Sequence, residues 1–111
     1  MLHRGGHLRD LQLQPAMCVA ERIVQSQVRV VGPAAWKLAR RVKQLDVAEG
    51  KEPRLAPDAD AGAVIDKLVR EYTSITGDLG TRMCFMACAD ILREHPELDI
   101  PCFRPFRGGI A

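Results

Sequence analysis

Cys84, Cys88, His95 and Cys102 are the residues of this chain whose types and spacing could do chemistry. Residues four apart on a helix stand one turn from each other on the same face, so Cys84 and Cys88 would be neighbours, and His95 continues their face two turns on. Thiolates and an imidazole are soft N/S donors. A tetrahedral zinc site needs four such ligands at about 2.0–2.3 Å, and Cys102 from the following segment could close the set. The spacing differs from the paired-cysteine turn of a zinc knuckle. The competing reading is that Cys84 and Cys88 are small hydrophobes in a core, since cysteine is among the most buried residue types. A helical projection favours it: Arg82, Asp90 and Arg93 fall on one side, and Cys84, Cys88, Ile91 and His95 on the other. A Cys84–Cys88 disulfide is disfavoured, because the Cβ atoms of one helix face point along the axis rather than at each other.

A second constellation is the basic cluster Lys37, Arg40, Arg41 and Lys43. Such a helix face could neutralise phosphates, which makes nucleic acid one candidate partner. The plainer reading is a solvated helix exterior, and Asp46 and Glu49 follow closely. Trp36 lies beside Arg40 and Lys43 and off the apolar stripe of its segment. Tryptophan and arginine are enriched among interface hot spots, so Trp36, Arg40 and Lys43 form a candidate protein-contact surface. The alternative is that Trp36 caps the core.

Signatures of catalysis are missing from the sequence: there is no H-E-x-x-H, no phosphate loop and no G-x-S-x-G. No carboxylate pair falls on an expected apolar face where burial would push two pKa values apart. A non-enzymatic chain with no cofactor is the expectation. Sixteen basic and 14 acidic side chains give a net charge of +2, too small a field to imply a polyanion partner by itself. No apolar run reaches the roughly 18 residues that span a bilayer, and Met1 to Gly6 lacks the apolar stretch of a secretory signal. The expected setting is the cytoplasm, away from membranes, with the four cysteines reduced.

The elements that must position these groups follow from apolar periodicity and from glycine and proline. At 111 residues, with 47% apolar and 27% charged residues, the chain has the composition of one globular domain. Aromatics make up only 5%, so aliphatic helix packing must supply the core. Residues 1–14, with Gly5-Gly6 between His3 and His7, are expected to be a mobile N-terminus. Pro15 suits a first helical position, and Ala20, Val24, Val28 and Val31 recur at helical spacing behind it. Val28-Arg29-Val30 alternates, so a strand over 23–31 in an α+β fold is the alternative. Gly32-Pro33 opens a second helix to about Glu49, with the stripe Ala35, Leu38, Val42 and Leu45. Residues 50–60 read as a loop. A third helix carries Ala61, Ile65, Leu68, Tyr72 and Ile75, and Gly77 provides the left-handed cap from which a fourth helix departs. Together they predict an αα-hairpin over 61–95, followed by an extended tail over 96–111 pinned by Ile100, Phe103 and Phe106.

The sequence thus points to an all-α fold of three or four helices. The leading functional expectation is a regulatory or protein-interaction module that pairs with itself or with another protein. Nucleic-acid binding is the second reading, and a zinc or thiol site the third.

Overall fold

Ala16, Val19, Ala20, Ile23 and Val24 recur at steps of three and four residues, which on an α-helix gathers them into one stripe. In the computed structural model they lie along α1 (Arg4–Val31) and are fully buried. The structure describes residues 4–108, and the side chains of 13–107. The expectation for His3 and for the first three residues, and for the last three, lies outside the described residues. α1 begins eleven residues before the expected start, with Pro15 inside it. Proline removes one helical hydrogen bond and disfavours continuity, yet here it does not end the helix. The alternative strand at 23–31 is not formed either. Ile23, Val24 and Gln27 are fully buried at helical spacing, and that packing overrides the β preference of Val28 and Val30.

The turn at Gly32, which has φ 71°, leads into α2 (Ala34–Ala39). This helix is six residues long and does not run on to Glu49. Ala35, Leu38, Val42 and Leu45 are all buried as their stripe predicts, but Val47 is buried as well. Two buried positions two residues apart suit a strand and not a helix, where they would stand about 200° apart. Gln44 takes a φ of 68°, and its carbonyl accepts a hydrogen bond from the Ala56 amide at 2.9 Å. β1 (Leu45–Asp46) follows and pairs antiparallel with β2 (Arg54–Leu55), Leu45 opposite Leu55 and Asp46 opposite Arg54. The 50–60 segment is therefore one side of a small hairpin rather than a plain loop. Its alternation puts Leu45 and Leu55 inward and the two charged residues outward.

α3 (Ala61–Glu94) is two helical arms joined at Gly77, whose φ 66° and ψ −157° are essentially open to glycine alone. Asp60 caps the first arm, its Oδ1 accepting from the Ala63 amide at 3.2 Å. The arms, 61–76 and 78–94, fold back on each other. Cys102 N donates to Asp66 Oδ1 at 2.8 Å, while the next residue, Phe103, meets the Phe85 ring edge-on at 5.5 Å between centroids. In a straight helix residues 66 and 85 would be about 28 Å apart, too far for adjacent residues to reach both. The expected hairpin is thus present. Ala61, Ile65, Leu68 and Tyr72 are buried along its first arm, whereas Ile75 near the tip is 60% exposed because no element covers it.

The segment after His95 is coiled rather than extended. A 3-10 turn (Pro101–Phe103) opens with proline, and α4 (Arg104–Gly108) completes it. Ile100 and Phe103 are fully buried and Phe106 stacks on Phe85 at 5.3 Å, so the three apolar residues do pin this end. α1 lies along the hairpin, α2 touches both, and the coiled segment closes the open end of the arms. Among the described residues no helix is long and apolar enough to cross a membrane.

Candidate functional site

The thiols that opened the sequence reading do not form a ligand set. Cys84 and Cys88 are fully buried, and the Cys88 thiol donates back to the Cys84 carbonyl at 3.3 Å. His95 caps the end of α3 with Nδ1 3.2 Å from Glu97 Oε2, at the half-exposed surface. Cys102 is half-buried, in the 3-10 turn beside Asp66. Among the described residues no three His, Cys, Asp or Glu side chains surround a point that could hold a metal ion. The helix directs its thiols into the core while His95 leaves the core with the helix end, so the four candidate ligands are not brought together.

All four cysteines are free. Burial pushes the Cys84 thiol up to about 12, with a small opposing effect from Gln27. Burial, and then Cys84 and Asp90, push Cys88 up to about 12 as well. Cys102 reaches about 12 through burial and the neighbouring Asp66. Thiolates are the reactive form, so the buried pair is chemically quiet. Cys84 and Cys88 are expected to react with a maleimide only as fast as the protein unfolds, which mass spectrometry of timed quenches would measure. Rapid labelling of both in the folded protein would contradict their place in the core.

Two buried polar groups sit in this core and were not singled out in the sequence. Asp66 accepts from Arg70 Nε at 2.7 Å and from Cys102 N at 2.8 Å. Burial raises its carboxyl, but those hydrogen bonds more than offset it and hold the pKa below the ordinary value. Gln27 faces the Cys84 thiol, fully buried, and neither its Nε2 nor its Oε1 makes a hydrogen bond of proper geometry. The helical period could have flagged Gln27, which falls three and four residues after Val24 and Ile23 on the buried stripe. For Asp66 the sequence offers only Arg70 at helical spacing, and its second partner, the Cys102 amide, lies 36 residues away.

Trp36 is half-buried and packs against the core, and it lines a small cleft together with Glu21, Val24 and Gln25 of α1 and Gly50, Lys51 and Pro53 of the β-hairpin. Lys37, Arg40, Arg41 and Lys43 are all exposed, and Arg41 is 3.7 Å from Glu71. With α2 ending at Ala39, Arg41 and Lys43 stand on a turn and not on a continuous helix face.

A surface absent from the sequence reading emerges on the second arm of α3. Leu79 is 65% and Met86 71% exposed, with half-buried Met83 between them. Positions i, i+4 and i+7 share one helix face, and this face lies opposite Cys88. On the side of the helix where charge is expected, exposed apolar side chains thus stand among the exposed Arg82, Asp90 and Arg93, and Ile75 near the end of the first arm is exposed as well. Compared with protein-family models, curated proteins and solved structures, the chain matches none.

Proposed function

We propose that this chain is a non-enzymatic interaction module that pairs with a second copy of itself through the outer face of the 78–94 arm. The observation that carries the reading is the exposure of Leu79 and Met86 on the face opposite the buried thiols. A two-fold axis near Met83 would set Leu79 of one copy against Met86 of the other and bury both, the self-complementary arrangement of an isologous dimer. Methionine suits such a contact because its unbranched thioether adapts to irregular surfaces.

Sedimentation equilibrium tests this. The protein is expected to dimerise at tens of micromolar, and Leu79→Lys or Met86→Lys should weaken the dimer by at least about tenfold, as removal of a central anchor does. Neither change should unfold the protomer, because both side chains are exposed in it, so any fall in Tm should reflect only the lost association. A monomeric wild type would overturn the proposal. Dissociation by Trp36→Ala with Met86→Lys silent would move the contact to Trp36, Arg40 and Lys43. A monomer that binds duplex or single-stranded nucleic acid, with affinity falling as salt rises and on Arg40→Ala, would replace it with phosphate recognition.

A further inference from the structure

A separate cleft lies between the end of the 78–94 arm and the coiled segment that follows it. Phe85, Ala89, Leu92 and Pro96 form its apolar floor, and Arg93 and Arg107 stand over it, around a space of about 300 Å³. That volume is at the small end of ligand pockets, which run from about 300 to 1,000 Å³.

The two arginines differ in role. Arg107 is half-buried, and its guanidinium donates to the Leu92 and Leu98 carbonyls, the first at 2.9 Å. Those bonds fix the plane of the group without cancelling its charge, since both acceptors are neutral. Arg93 is exposed and makes no ion pair among the described residues. Of the acids around the cleft, Glu97 pairs with His95 and Asp99 with Arg104, which grips it with two nitrogens, while Glu94 beside Arg93 is exposed and makes no ion pair among the described residues. Glu97 and Asp99 feel the Arg107 charge from a distance, but among the described residues neither Arg93 nor Arg107 is held in an ion pair over the apolar floor. We propose that this cleft binds a small amphipathic carboxylate, an aryl or medium-chain acyl monoanion, with its apolar body on Phe85, Ala89 and Leu92 and its carboxylate between Arg93 and Arg107. Guanidinium and carboxylate are both planar and can form paired charge-assisted hydrogen bonds, so Arg suits this headgroup. A fully hydrophilic anion would leave the floor unused.

The test is an NMR titration of the full chain with sodium decanoate and, separately, with decanol. Decanoate is expected to bind saturably, with amide shifts confined to 85–96 and the vicinity of Arg107, and decanol more weakly. Arg93→Gln should weaken decanoate on the order of fivefold, the worth of a partly exposed charge pair, while leaving decanol unchanged. Ala89→Phe, which fills the floor, should remove both. Arg93 is exposed, so its replacement reads binding rather than folding. Three results would overturn the proposal: no saturable binding below the aggregation concentration of decanoate, equal affinity for decanol with no effect of Arg93→Gln, or shifts that map to 79–86 instead.

Discussion

Replacing Gly62 with alanine is expected to destabilise the fold markedly. A Cβ at this position would stand 1.9 Å from the Asp99 carbonyl oxygen and 3.0 Å from its carbon. Those atoms are backbone, so no rotamer change relieves the overlap. The strand of chain carrying Asp99 is held in place by Arg104 on the Asp99 carboxylate and by the buried side chains of Leu98 and Ile100. Either the first arm of α3 or this segment must move, and overpacking of that kind costs about 1–3 kcal/mol or more. Urea denaturation should show a lower midpoint with an unchanged slope. A midpoint within error of the wild type would mean that the close approach of Asp99 to Gly62 does not exist in solution.

Gln27→Met is expected to have the opposite sign. Methionine nearly matches glutamine in length and flexibility, and it removes an amide whose donor and acceptor are both buried without a hydrogen-bond partner of proper geometry among the described residues. A buried polar group left unpaired costs about 1–3 kcal/mol, so Tm should rise by several degrees. A fall in Tm would show that the amide has a hydrogen-bonding partner in solution, and the Cys84 thiol it faces would be the first place to look. The contrast between the two substitutions is instructive. One adds carbon where backbone already fills the space, and the other removes polarity where nothing answers it.

The helical elements were legible wherever apolar residues kept step with the helix over several turns. Ala61, Ile65, Leu68 and Tyr72 placed the first arm of the hairpin, and Gly77 placed its reversal. The short β-hairpin was hidden because Ala35, Leu38, Val42 and Leu45 satisfy a helical stripe on their own, and only the burial of Val47 breaks it. Pro15 misled in the other direction, since a residue favourable at a helix start is also tolerated inside a helix that tertiary packing holds. The cysteines illustrate how far residue type can be separated from role. Their spacing was that of shared ligands, but a helix face is read by what packs on it, and α1 packs here. The contact surface was least legible of all. Leu79, Met83 and Met86 share a spacing with core residues, so exposure could be learned only from the absence of a neighbour. Tyr72 shows the converse, a polar group that looked like core and is core, its hydroxyl donating to the Ala35 carbonyl at 2.9 Å.

The coiled segment that closes the arms also dictates an order of events during synthesis. Once residue 94 has emerged, α1 and the two arms can associate, but Asp66 then lacks the Cys102 amide and Phe85 lacks the Phe103 and Phe106 rings. The Leu98 carbonyl likewise lacks its Arg107 donor until that residue arrives, and the Leu92 carbonyl has only the His95 amide. The bundle is therefore sealed only once residues 98–107 are in place, whatever the rest of the chain has already formed.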